Sequence, residues 1–199
     1  MAFGLFAPTR ALARRGSRPW RGILLALLLL SGPAWAQARA PAVSKEFQIK
    51  AVFLYNFAQF VDWPAEAFDG PGSPLVIGVL GLDPFGDFLD ELVQGEVVNG
   101  RPIVVRRYRW IGEVDACHVL FISGSEGAHL EQIEKTIAGR SILTVCDWEG
   151  LMRHGGMIRL FMSGRHVRLQ INLAAARAAG LTISSKLLRS AEQVIADSP

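Results

Sequence analysis

Two cysteines and four histidines in 199 residues leave little material for metal or thiol chemistry. Cys117 and His118 are adjacent, and neighbours on a strand point to opposite faces, so they form no dyad there. Cys117 is expected to be a buried cysteine. His129, His154 and His166 are scattered, and no Cys/His spacing fits a zinc site. There is no G-x-S-x-G and no G-x-G-x-x-G. The nearest approach to a nucleotide loop is Gly81-Leu-Asp-Pro-Phe-Gly86. Its Asp83 and Asp87 would repel a phosphate at the helix start, and they read instead as helix cap and dipole partner. Ser123-Gly124-Ser125, with Glu126 beside it, reads as a connecting loop. No catalytic set, metal site or cofactor is implied.

An excess of one charge is missing too. The formal net charge of +3 comes from the leader: Arg10, Arg14, Arg15, Arg18 and Arg21 stand in a stretch free of acids. Removing those five of 21 basic residues leaves 16 against 18 acidic ones, a balance of −2. No global basic field remains, which excludes nucleic acid as a partner. Long apolar runs are also scarce. Ile23 to Leu30 (ILLALLLL) is too short to span roughly 30 Å of hydrocarbon. Basic region, short apolar run and Ala34-Trp35-Ala36 together read as a signal peptide over residues 1–36, so export to a periplasm is expected. Residues 37–44 read as a flexible lead-in, and 45–195 as one α/β domain.

An oxidising compartment permits a disulfide, but Cys117 opens one strand and Cys146 closes another. On parallel neighbours, five residues at roughly 3.3 Å each exceed the 7 Å limit on Cα separation. An intramolecular bond is therefore the less favoured alternative and is left open; otherwise Cys146 is exposed and reactive, or pairs with a second chain.

What is abundant is apolar periodicity. Ser44 is placed to cap a helix running to about Asp62, ended by Pro64. PLVIGVLG (74–81) reads as a strand buried on both faces, DPFGDFLDELVQG (83–95) as a helix, RPIVVRRY (101–108) and CHVLFIS (117–123) as strands. SEGAHLEQIEKTIAG (125–139) reads as a helix and SILTVCD (141–147) as a strand. This alternation predicts a mostly parallel sheet with right-handed crossovers. GMIRLFM (156–162) and HVRLQIN (166–172) read as a C-terminal antiparallel hairpin with one apolar face and one polar, basic face. Asn172 and Ser184 are placed to cap two last helices, the second burying Leu187, Leu188, Ala191, Val194 and Ile195.

Five of the eighteen aromatics fall in KAVFLYNFAQFVDWP (50–64). Phe47, Leu54, Phe57, Ala58 and Val61 share one arc at 100° per residue, while Ile49, Phe53 and Phe60 form a second. A helix apolar on two faces is buried twice or carries a contact surface.

That segment, with PLVIGVLGLDPFGDFLDEL, VNGRPIVVRRY, CHVLFIS, ILTVCD, GGMIRLF and RLQINLAAARAAGLTISSKLLR, resembles the YfiR family over residues 45–191. The resemblance implies a periplasmic, Rossmann-like three-layer sandwich. It also implies a repressor that docks to the periplasmic region of an inner-membrane diguanylate cyclase in cyclic-di-GMP signalling. An outer-membrane peptidoglycan-associated lipoprotein is implied as a sequestering partner. Related domains fused to sensor kinases imply the alternative of a ligand-sensing module serving a kinase or other receptor. A homodimer is left open. The family's disulfide-based redox control is not matched by two cysteines.

Phe53, Phe60 and Trp63 on the first helix, with Arg159, Arg168 and Gln170 on the hairpin's polar face, are the candidate partner-binding residues. Ser184, Ser185, Lys186 and Arg189 are the candidate anion or ligand site. Neither role needs a catalytic group, so the chain is not expected to be an enzyme.

Overall fold

The computed structural model describes residues 42–196. The expected signal peptide and most of the lead-in lie outside the described residues.

Ser44 caps helix α1 (Lys45–Phe60), its hydroxyl accepting the Phe47 N–H at 3.4 Å. The helix stops before Asp62, because Val61–Asp62 is extended as β1 and pairs antiparallel with β9 (Thr182–Ile183). Tertiary pairing overrides the helical period there. The next strand, β2 (Leu75–Leu80), is buried at every position. Gly78 at its centre is required by packing: a Cβ there would stand 2.7 Å from both Cys117 Sγ and the Tyr108 ring.

Helix α2 (Asp87–Val93) is shorter than the sequence predicts. Asp83 caps the turn before it, accepting from the Phe85 and Gly86 N–H groups, so it is not the helix cap. After α2 comes a hairpin the sequence reading missed: β3 (Val97–Val98) and β4 (Arg101–Tyr108), joined by Asn99-Gly100. Both turn residues have positive φ, 51° and 77°, the requirement of the tight turn that favours Asn-Gly. β5 (Val119–Ile122) follows. The predicted helix from Ser125 begins instead as a 3-10 turn (Gly124–His129) and becomes α3 only at Leu130–Ile137. β6 (Leu143–Cys146) leads through a second 3-10 turn to the hairpin β7 (Ile158–Ser163) and β8 (His166–Asn172), paired as expected. Asn172 caps α4 (Leu173–Ala178), and Ser184 caps α5 (Ser185–Ser190). α5 does not continue through Val194: residues Gln193–Ile195 form β10, added parallel to β8.

The sheet order is β10-β8-β7-β6-β5-β2-β4-β3. β4, β2, β5, β6 and β7 are mutually parallel, and their chain order across the sheet is second, first, third, fourth, fifth, a doubly wound pattern. Successive strand residues face opposite sides. Leu54 and Phe57 of α1 and Leu89 and Val93 of α2 pack on Ile77, Phe121, Val145, Ile158 and Leu169. Ile133 of α3 packs with Leu80, Leu120, Ile122 and Cys146 on the other face. The fold is therefore mixed α/β, with a mostly parallel sheet and some antiparallel strands, compatible with a three-layer arrangement.

Candidate interaction surface

Doubly wound sheets place ligands beyond the carboxyl ends of their strands, where the strand order reverses. Here that point lies between β2 and β5, and the chain's own side chains fill it. Gly81, at φ 83°, faces Ser125 and Glu126 so closely that a Cβ would stand 2.4 Å from Ser125 Oγ and 2.6 Å from Glu126 Oε1. Ser125 Oγ accepts the Leu82 N–H at 3.1 Å and donates to Glu126 Oε1 at 3.2 Å. Glu126, only 9% exposed, lies 3.3 Å from His129 Nδ1. Ser123 accepts the Ser125 N–H, the loop cap that the sequence implied.

Beside it, Lys50 reaches from α1 to the end of β6. Its Nζ sits 2.5 Å from Glu46 Oε1 and 2.9 Å from Asp147 Oδ2, 4.6 Å above the Phe47 ring, with the side chain 3% exposed. Lys50 is not among the candidate residues of the sequence. The helical period is the signal for it, since it falls on the same side as Leu54, Phe57 and Val61, all buried.

The opposite strand ends are closed by a neutral imidazole and aromatics. His118 Nδ1 accepts the Val76 N–H at 3.0 Å, so Nε2 carries the proton and donates to Ala67 O at 3.0 Å. Burial pushes the His118 pKa down, holding the ring neutral. The ring stacks on Phe68 at 4.4 Å and meets Trp63 edge-on at 6.1 Å. Trp63 Nε1 donates to the His118 carbonyl at 3.2 Å. The Arg101 guanidinium covers the far side of Phe68 at 3.7 Å and donates to Gly70 O and Ser73 O.

The cysteines lie within the second core. Both are free and buried, Cys117 donating to Val119 O and Cys146 to Trp148 O. Burial pushes each thiol up to about 12. Cys146 is thus not the exposed, reactive thiol expected at a strand end, because Trp148 and the turn at Leu151 fold over it.

The candidate contact residues divide between the two sides of the sheet. On the α1 side, Ile49 and Val52 are 45% and 40% exposed. Phe53 is half-buried, its ring 6.2 Å from Phe57, and Phe60 is half-buried beneath Lys186 Nζ at 4.8 Å. The first arc packs inward as predicted, with Leu54, Phe57, Ala58 and Val61 buried. The second arc is half seated and half open, so a continuous apolar stripe (Ile49, Val52, Phe53) reaches solvent. On the opposite face, Arg159 lies 5.1 Å over the Phe161 ring with its buried Nε lacking a partner among the described residues. Arg168 reaches Glu192 at 3.3 Å, and Gln170 donates to Gln193 at 3.1 Å. Alternation sends Arg159, Arg168 and Gln170 away from α1. Trp63, expected on the first helix, lies beyond its end at Phe60 and is engaged with His118, so the six residues do not form one surface.

In the candidate anion set, Ser184 Oγ accepts the Leu187 N–H and its own N–H donates to Phe60 O, while Lys186 covers Phe60. Ser185, Lys186 and Arg189 are exposed.

A protein-family model described as YfiR/HmsC-like matches residues 47–192. Among the described residues, no helix is long and apolar enough to cross a membrane.

Proposed function

The chain belongs to the YfiR/HmsC-like family, and on that premise we propose that it is a regulatory binding protein of the periplasm that represses an inner-membrane diguanylate cyclase. It docks to the cyclase's periplasmic region, prefers the inactive form, and so lowers the active population by differential affinity. The family match supports the cyclase as the class of partner. The observation that carries docking is the open stripe of Ile49, Val52 and Phe53 on a helix whose other side fills the core. Contiguous exposed apolar side chains mark contact surfaces. The filled point between β2 and β5 supports the same reading, since the usual ligand crevice of such sheets is occupied by Ser125 and Glu126. The mechanism is non-catalytic, and both thiols are buried away from any substrate. A Rossmann-like outline belongs to this reading, supported by the order of the parallel strands. So do export by a signal peptide over residues 1–36 and sequestration by an outer-membrane peptidoglycan-associated lipoprotein. Arg159, Arg168 and Gln170 form a second contact on the opposite face.

The test is cellular cyclic-di-GMP in a deletion strain complemented with exported residues 37–199. Deletion raises the nucleotide, wild type restores it, and Ile49→Glu with Val52→Glu fails to restore it while remaining folded and exported. An unchanged level on deletion would overturn the cyclase reading and turn attention to a module serving a kinase or another receptor.

A further inference from the structure

The sheet's two edges are finished differently, and the β4 edge is left available. β3 covers only the first two residues of β4, pairing Val97 with Pro102 and Val98 with Arg101. Among the described residues no strand lies beyond Ile103–Tyr108. Which backbone groups face outward follows from two hydrogen bonds. Tyr108 O accepts the Gly81 N–H, so Tyr108 faces β2, and Ile103 N–H donates outward to Glu96 O. With a period of two, the N–H and C=O groups of Val105 and Arg107 point away from the sheet.

Edge strands are usually guarded by charged side chains. The two arginines here are tied down. Arg107 is held by Asp83 at 2.7 Å and by both oxygens of Asp90, and Arg106 by Asp115 at 2.8 Å. Alongside the edge runs a groove of about 460 Å³ between β4 and α2, with Val93, Ile103 and Val105 on its floor. Asp87 and Glu91 stand on its rim, exposed and in no ion pair among the described residues.

We propose that the β4 edge is a separate docking site, taking an extended segment of alternating basic and apolar residues as an added strand. Main-chain bonds to Val105 and Arg107 would hold it. Its lysine or arginine stems would lie over Val93 and Val105, with their charges at Asp87 and Glu91. Its apolar residues would fall beside Val104 on the other face. A second copy of this chain fits less well, because a twofold axis normal to the sheet at the β4 edge, which pairs the two strands antiparallel, would bring two acidic α2 rims together on one face. This site does not use the α1 stripe, so it stands or falls independently of the cyclase reading.

The probe is a fluorescein-labelled Lys-Val-Lys-Val-Lys-Val-Lys peptide, titrated with residues 37–199 and read by anisotropy. Saturable binding is expected. It should weaken tenfold or more with Val105→Pro, which removes an outward N–H, as edge strands tolerate, and leaves the β2 ladder intact. It should weaken similarly with Asp87→Lys plus Glu91→Lys. A peptide N-methylated on the residues that pair should not bind wild type, a result that stands even if Val105→Pro fails to fold. No binding, or equal binding by the methylated peptide, overturns the proposal. A concentration-dependent dimer abolished by Val105→Pro would also overturn it, showing the edge to be an interface between copies.

Discussion

The two ends of the sheet are closed by different chemistry. At the carboxyl ends the closure is ionic, with Lys50 between Glu46 and Asp147. At the amino ends it is neutral and aromatic: His118 between Val76 and Ala67, stacked on Phe68 and capped by Trp63. Helix α1 begins at the first closure and delivers the chain to the second. An ionic closure with partly exposed carboxylates loses most when one partner is removed. A neutral closure fails when it is forced to carry charge.

Three measurements would break this contrast or sharpen it, starting with the largest effect. Asp147→Ala leaves the Lys50 ammonium buried with only Glu46 beside it. Removing one member of a buried pair costs about 3–5 kcal/mol, and the partial exposure of Asp147 puts this case near 3 kcal/mol. A melt should fall by about 6–12 °C. Glu46→Ala, on the exposed side of the same lysine, should cost under about 1 kcal/mol. Equal losses from the two would mean that Lys50 is not held chiefly by Asp147.

His118→Phe keeps a ring against Phe68 but strands the Val76 N–H and the Ala67 carbonyl, for about 2 kcal/mol. The wild-type ring has a lowered folded pKa, so the unfolded chain binds its proton first. Its contribution is complete above the unfolded value of about 6.5 and is lost as pH falls below it. Denaturant midpoints measured between pH 7.5 and 5 should drop in wild type, and the part due to this ring should vanish in His118→Phe. An identical pH slope in the variant would place the acid sensitivity elsewhere.

Strand periodicity and the caps were legible in the residues because they are local. Ser44, Asn172 and Ser184 each cap the helix that the pattern placed after them. Asp83 is a local exception, capping the turn before α2 and not the helix itself; the other differences arise where distant partners decide. Val61 and Asp62 left the helix to pair with Ile183 and Thr182, and Val194 left its helical arc to extend the sheet beside Ile171. Asn99-Gly100 carries a hairpin signal, but the strand before it, Val97–Val98, is too short to show alternation. The candidate surface was half legible. The helix period located Ile49, Phe53 and Phe60, and the strand period set the hairpin arginines on a polar face. That these two sets lie on opposite sides of one sheet depends on how the whole sheet is ordered, which no local pattern encodes.

The smallest stability effect belongs to the outward face of α1, which touches neither closure. Ile49 and Val52 point to solvent near the ionic end, so glutamate at both should change stability by no more than about 0.5 kcal/mol and leave the melt almost unmoved. Loss of cyclic-di-GMP control with an unmoved melt would separate the helix's two jobs: its inner arc joins the sheet's ends, and its outer arc meets the partner. A melt lowered as far as in Asp147→Ala would show instead that the stripe is covered in the folded protein, and the contact surface would then have to be the hairpin face of Arg159, Arg168 and Gln170.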